Sequence, residues 1–211
     1  MASLRLTRRQ WRIYLTVWLV ALAAVTGTFA GIMVPRLLAK SPAPTLSGGL
    51  VIKSHSVQAP DFTLRDQQGK MVSLPDLRGR VIALTFLDTQ CRQLCPLQAA
   101  LLGSVQSDLG PSARFSVVVV SVRPEADTPA NIAAFASAHG LKSEFYWLTG
   151  TRPQLQDVWN RYGVGVQVAN GDLAHSSVIY LIDRSGYERV GFADVPQADA
   201  VEGDVRILEA G

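Results

Sequence analysis

The run Phe115–Val122 (FSVVVVSV) is apolar at nearly every position and dominated by valine. Successive side chains of a strand point to opposite faces, so this strand must be covered on both sides. A chain that holds it needs a layered architecture, with further elements above and below a sheet. Val81–Phe86 (VIALTF) is a second short run of the same kind. Between the two, Leu97, Leu101, Val105 and Leu109 recur at helical spacing, and Gly110 closes the pattern.

The pattern continues in alternation. Thr128 as N-cap with Pro129 at the first helical position opens a helix whose apolar face is Ile132, Phe135 and Ala136, and Gly140 ends it. Phe145–Leu148 reads as a strand. Leu155, Val158, Trp159 and Tyr162 share one face of the next helix, closed by Gly163. Ser177–Ile182 and Tyr187–Phe192 flank the turn Asp183–Gly186 as an antiparallel pair, and Ala200–Leu208 suits a last helix. Upstream, Phe62–Leu64 and Met71–Leu74 flank the turn Asp66–Gly69 as an N-terminal β-hairpin. The order predicts an α/β domain over residues 59–211, of thioredoxin-like type with that hairpin as an extension.

Ile13–Val34 contains 22 residues without a charge, enough to cross a bilayer's hydrocarbon core. Trp11, Tyr14 and Trp18 suit the headgroup region at its start. Arg5, Arg8, Arg9 and Arg12 precede it with no acid among them, so residues 1–12 are expected in the cytoplasm and the rest outside. A cleaved signal peptide, cut near Thr28-Phe29-Ala30, is the alternative reading. Residues 35–58 hold Pro35, Pro42, Pro44, Ser47, Gly48 and Gly49 and read as a flexible linker. The chain carries 20 Lys and Arg against 17 Asp and Glu, and four of those cations lie in the N-terminus. The remainder is close to neutral, so nothing here makes a nucleic-acid surface.

Cys91 and Cys95 are the only cysteines, in Leu87-Asp88-Thr89-Gln90-Cys91-Arg92-Gln93-Leu94-Cys95-Pro96. Pro96 disfavours helical geometry at Cys95, so Cys95 is expected to cap the following helix, with Cys91 in the loop before it. A helix N-terminus presents partial positive charge and free amides, which favour thiolate, the form that attacks and ligates. The pair alone is also compatible with a structural disulfide. His175 directly precedes a predicted strand, and in a thioredoxin-like domain that loop faces the cysteine helix. Two sulfurs and an imidazole suit Cu(I), and also hold Cu(II) or zinc, although structural zinc normally takes four protein ligands. His55 reads as a solvated linker residue and His139 as a helix-end residue. A dithiol reductase would need Cys91 and Cys95 but not His175. A peroxidase fits the cysteine spacing poorly.

The motifs Ala59-Pro60-Asp61-Phe62-Thr63-Leu64, Leu77-Arg78-Gly79, Cys91-x3-Cys95-Pro96, Asp127-Thr128-Pro129, Leu148-Thr149-Gly150 and His175-Ser176-Ser177 occur in that order. Over residues 59–194 the chain resembles the Sco/SenC family of membrane-anchored copper-binding proteins of respiratory-oxidase assembly. The resemblance implies copper, as Cu(I) or Cu(II), on Cys91, Cys95 and His175. It implies partners among copper-containing oxidase subunits or other copper chaperones, with copper delivery or thiol reduction as the task. The chain departs from the family pattern at Arg92, Arg123 and Ala174, and at Asp88, where tyrosine is common.

Overall fold

The computed structural model describes residues 8, 11–24, 45–142, 145–169 and 172–211. Residues 11–24 are helical, and Trp11, Tyr14, Trp18 and Leu22 on that stretch are all exposed. Among the described residues no helix is long and apolar enough to cross a membrane. The rest of the uncharged run, 25–34, and residues 35–44 after it lie outside the described residues.

The described residues from 45 onward form a single compact unit. In order it comprises β1 (Leu50–Val51), β2 (Thr63–Arg65), β3 (Met71–Ser73), a 3₁₀ turn Leu74–Leu77, β4 (Val81–Leu87) and α1 (Leu94–Leu109). There follow β5 (Phe115–Ser121), α2 (Pro129–Ala138), β6 (Phe145–Leu148) and α3 (Arg152–Arg161). The chain ends with β7 (Val166–Ala169), β8 (Asp172–His175), β9 (Val178–Ile182), β10 (Glu188–Ala193) and α4 (Ala198–Ala210). The main sheet runs β1-β10-β9-β4-β5-β6. Strands β4, β5 and β6 are parallel, whereas β9 joins β4 antiparallel and β10 continues the antiparallel half.

Both long apolar runs are central strands, buried at all seven positions. Their alternation assigns the layers. Val81, Ala83, Leu87, Val117 and Val119 face a cluster formed with α1, α2 and α4. Ile82, Leu84, Phe86, Val118 and Val120 face a second cluster formed with the β2–β3 hairpin and α3. Burying one such valine or isoleucine contributes about 1.5–3 kcal/mol, so a strand that is apolar on both parities is stable only between two covering layers. The expected α/β layering is the one observed.

Two local expectations need correction. Leu97, placed on the inward stripe of the cysteine helix, is 55% exposed. The inward face is Cys95, Gln98, Ala99, Leu102 and Val105, rotated so that a glutamine enters the core. Residues 45–58, expected as linker, are docked from Leu46 onward. Leu46 packs on the core and β1 pairs with β10 through Leu50↔Gly191 and Val51↔Val190. Asp204, 1% exposed on α4, accepts from the Ser47 amide at 2.7 Å and hydroxyl at 3.0 Å, and from the Gly48 amide at 3.1 Å. The glycine that composition reads as flexible is there for close approach, since a Cβ on Gly48 would lie 1.9 Å from Val190 Cγ1. That carboxylate is 156 residues away in sequence, so no local pattern announces the contact.

Helix α1 meets the turn after α2 at Gly103. A Cβ there would lie 2.5 Å from the Gly140 carbonyl oxygen and 2.9 Å from that of His139. Alanine gains about 1 kcal/mol of helix propensity over glycine, but overpacking against rigid backbone costs about 1–3 kcal/mol. The clash wins: Gly103→Ala is expected to lower the urea midpoint followed by tryptophan fluorescence, and an unchanged or raised midpoint would contradict this packing.

Candidate metal centre

The cysteine loop leaves β4 at its carboxyl end. Asp88 Oδ1 accepts from the Gln90 amide at 2.7 Å, and the Asp88 carbonyl accepts from the Cys91 amide at 3.4 Å, which turns the chain towards α1. The turn is clamped from outside by Asp127. Its Oδ1 accepts from the Thr89 amide at 2.9 Å, and its Oδ2 from the Ser121 hydroxyl at 2.6 Å and the Trp147 indole at 3.1 Å. Burial pushes the Asp127 carboxyl up, against the pull of those donors. The Asp127-Thr128-Pro129 segment is therefore more than a helix start, although Thr128 does cap α2 through the Asn131 amide.

Cys95 is the second residue of α1, two positions further in than expected, and Gln93 takes the cap position. Pro96 is tolerated there because a first-turn residue has no intrahelical amide bond to lose. The Cys95 side chain is fully buried and that of Cys91 half-buried; both are free thiols. The Cys95 amide points at Cys91 Sγ, 3.4 Å away, so the sulfur in the loop occupies the acceptor position at the helix N-terminus.

His175 is the last residue of β8, paired with Val166 in a short hairpin that no sequence signal marked. Its Nδ1 lies 3.0 Å from the Ser176 carbonyl. A carbonyl only accepts, so Nδ1 carries the hydrogen and Nε2 of the neutral ring offers its lone pair. Nε2 stands 3.5 Å from Cys95 Sγ. Gln98 fixes this approach. It donates to Ser177 Oγ at 2.9 Å and to the Asp194 carbonyl at 2.6 Å, and accepts from Thr85 Oγ1 at 3.1 Å. The cysteine helix is thus tied to the segment that follows His175.

The two sulfurs divide one proton unequally. The Cys95 thiol donating to Cys91 holds the Cys91 pKa down, to about 3, helped by His175 and the amides of Gln93 and Cys95 and opposed by burial. The same hydrogen bond, with burial, pushes Cys95 up. Burial pulls the His175 pKa down, but its bonds to Cys91 and the Ser176 carbonyl and the charges of Cys91 and Asp88 outweigh that, for a net rise. The expected activation by the helix end is present, and it acts on the loop cysteine. Donor atoms of Asp88, Cys95 and His175 all lie within 4.8 Å of one another.

Cys95 and His175 are therefore brought together, with Cys91 Sγ against the Cys95 amide; the third donor in the close group with Cys95 and His175 is Asp88 rather than Cys91. His55 is exposed and hydrogen-bonded to Ser54 Oγ, and His139 ends α2 against the Phe135 ring; neither belongs to the cluster. Arg92 is exposed, Arg123 half-buried, and Ala174 lies exposed on β8. Sequence reasoning missed Asp88, Gln98 and Asp127 as parts of the site. Asp88 had a signal, an acid ending an apolar strand, and so did Gln98, a polar residue on an inward helix face. Iodoacetamide is expected to modify Cys91 far faster than Cys95 in the reduced protein, with a rate nearly flat between about pH 5 and 8 because the thiolate persists. In His175→Ala the Cys91 pKa rises and the rate falls at the acid end; preferential labelling of Cys95 would refute the assignment.

The profile of the SCO1/SenC family matches residues 52–206. The SCO2-like protein of Rickettsia conorii is 29% identical over 162 residues, covering 70% of this chain and 75% of the relative. The structure of Bradyrhizobium japonicum ScoI with copper bound is 26% identical with a TM-score of 0.64, over 72% of this chain and 99% of that one. BsSco, a member of the Sco family of cytochrome c oxidase assembly proteins in which a disulfide switch was identified, is 25% identical with a TM-score of 0.65, over 75% and 97% of the two chains. With a family model matched over residues 52–206 and the fold shared with solved Sco structures, this chain belongs to the SCO1/SenC family.

Proposed function

We propose that this protein is a membrane-anchored copper-binding assembly factor. It holds one copper ion on Cys91, Cys95 and His175 and helps mature the copper centre of a respiratory cytochrome oxidase. The observation that carries the reading is the 3.5 Å between Cys95 Sγ and His175 Nε2, with Cys91 Sγ against the Cys95 amide. First-row metal bonds of about 2.3 Å to sulfur and 2.0 Å to imidazole, opened at tetrahedral to trigonal angles, put two donors about 3.5–3.8 Å apart. Soft sulfur with imidazole is a donor set for copper in either valence. Gln98 and the Ser176 carbonyl hold these donors in place, as second partners do at metal sites. Residues 13–34 serve as the anchor, with the basic residues 1–12 in the cytoplasm and the domain outside. The acceptor is a copper-containing oxidase subunit, or another copper chaperone in the same relay.

A second reading, thiol–disulfide reduction of a partner, is favoured by the unequal proton sharing. The Cys91 thiolate attacks a partner disulfide, displacing one partner sulfur as thiolate and forming a mixed disulfide. Cys95, losing its proton, then attacks Cys91 Sγ and releases the second partner sulfur. The partner gains two electrons and this pair becomes a disulfide.

The reduced full-length protein in detergent is expected to bind about one copper per chain by metal analysis, and His175→Ala to weaken binding more than about tenfold, since even loss of a ligand's supporting bond costs that much. Equal affinity without His175 would sink the three-donor site. Reductase activity that survives in His175→Ala while copper affinity collapses would favour the second reading.

A further inference from the structure

Asp88 sits at the mouth of the cysteine loop and is only 2% exposed. One carboxylate oxygen accepts from the Gln90 amide at 2.7 Å. Among the described residues no Lys, Arg or His makes an ion pair with it. A buried carboxylate with one backbone donor and no cation is costly, unless a cation enters beside it. The place for that cation is already defined. A carboxylate oxygen of Asp88, Cys95 Sγ and a His175 ring nitrogen lie within 4.8 Å of one another. Two bonds of about 2.0–2.3 Å meeting at one ion at tetrahedral to trigonal angles separate their donors by about 3.3–4.0 Å, so the carboxylate has to turn in towards the other two donors to join them.

We propose that Asp88 is a fourth donor to the metal held by Cys91, Cys95 and His175, and that it biases the site towards the divalent ion. The inference rests on the copper reading above. Two thiolates and one carboxylate carry three negative charges, and a divalent ion leaves one uncompensated where a monovalent ion leaves two. In a buried site the excess charge is strongly penalised, so the divalent form gains more from Asp88. Carboxylate oxygen is also a harder donor than thiolate and adds least to a soft monovalent ion. Asp88 thereby sets the valence of the ion that is carried, and the ease with which it is reduced before transfer.

The test compares full-length wild type, Asp88→Asn and Asp88→Ala in detergent, titrated with Cu(II) and, separately, with Cu(I) under anaerobic conditions. Asn keeps the shape and an acceptor for the Gln90 amide but removes the charge, so folding is retained and can be checked by near-ultraviolet circular dichroism. The expected result is a loss of Cu(II) affinity of about tenfold or more in Asp88→Asn, as for other losses of metal-site support, with Cu(I) affinity changed much less. The Cu(II) electron paramagnetic resonance spectrum and the sulfur-to-copper charge-transfer band are expected to shift, further in Asp88→Ala. A folded Asp88→Asn with wild-type spectra and an unchanged Cu(II)/Cu(I) affinity ratio overturns the fourth donor while leaving the three-donor site standing. Wild type that takes up neither Cu(I) nor Cu(II) overturns the copper reading itself.

Discussion

The structure depends on a constraint set by two strands, β4 and β5, that are apolar on both faces. Neither can be stable at a surface, so helices must lie on one side and the hairpin with α3 on the other. Two adjacent parallel strands also need a crossover, and α1 supplies it from the carboxyl end of β4. In open α/β sheets that end of the strands is where ligands bind, because loops and helix N-termini collect there. The position of the cysteine pair follows from this. The loop that must turn the chain from β4 into α1 is the loop that carries Asp88 and Cys91, with Cys95 in the helix's first turn.

Geometry within the site is imposed from a distance. Asp127, from the loop after β5, seizes the Thr89 amide and fixes the cysteine loop against Trp147 of β6. Gln98 crosses from α1 to Ser177 and Asp194 and fixes the segment after His175. Both are buried polar groups whose bonds are all directional, so they specify a position where an apolar side chain would only fill space. The cysteine loop and the first turn of α1 are continuous in sequence, but the strand end that carries His175 has no local reason to meet them; these two side chains hold the donors in register.

Much of this was legible in the chain because it is local. The central strands, the helix starts at Thr128-Pro129 and the closing glycines at Gly110, Gly140 and Gly163 rest on spacing and backbone preference within a few residues. Gly110, Gly140 and Gly163 all adopt positive φ. The position of His175, just before a predicted strand of a thioredoxin-like domain, sets the imidazole opposite the cysteine helix without any knowledge of the β7–β8 hairpin. What sequence concealed is long-range. The docking of Ser47 and Gly48 on Asp204 looks like linker composition, because glycine serves flexibility and close approach alike. The placement of Cys95 inside α1 ran against the local preference set by Pro96, and burial of that side chain against the core outweighed it. In the sequence Asp88 is only a departure from the family pattern, because its significance lies in what the fold brings beside it.

The shared proton links the two uses of the cysteine pair. In the metal-free state the hydrogen bond between the sulfurs pulls Cys91 towards thiolate and, with burial, Cys95 towards thiol. A metal that takes both sulfurs must expel that proton, so uptake releases acid and strengthens as pH rises. Disulfide exchange needs the same proton to stay until Cys91 has attacked, and then to leave. In the proposed function, copper and a partner disulfide therefore compete for one deprotonation event. In the proposed reading an ion bound at the pair blocks the nucleophile, and a pair oxidised to disulfide has no thiolate to offer an ion. In the same reading, copper delivery and reduction of an acceptor's cysteines are alternative uses of one dithiol, and the choice falls to whichever ligand reaches Cys91 first.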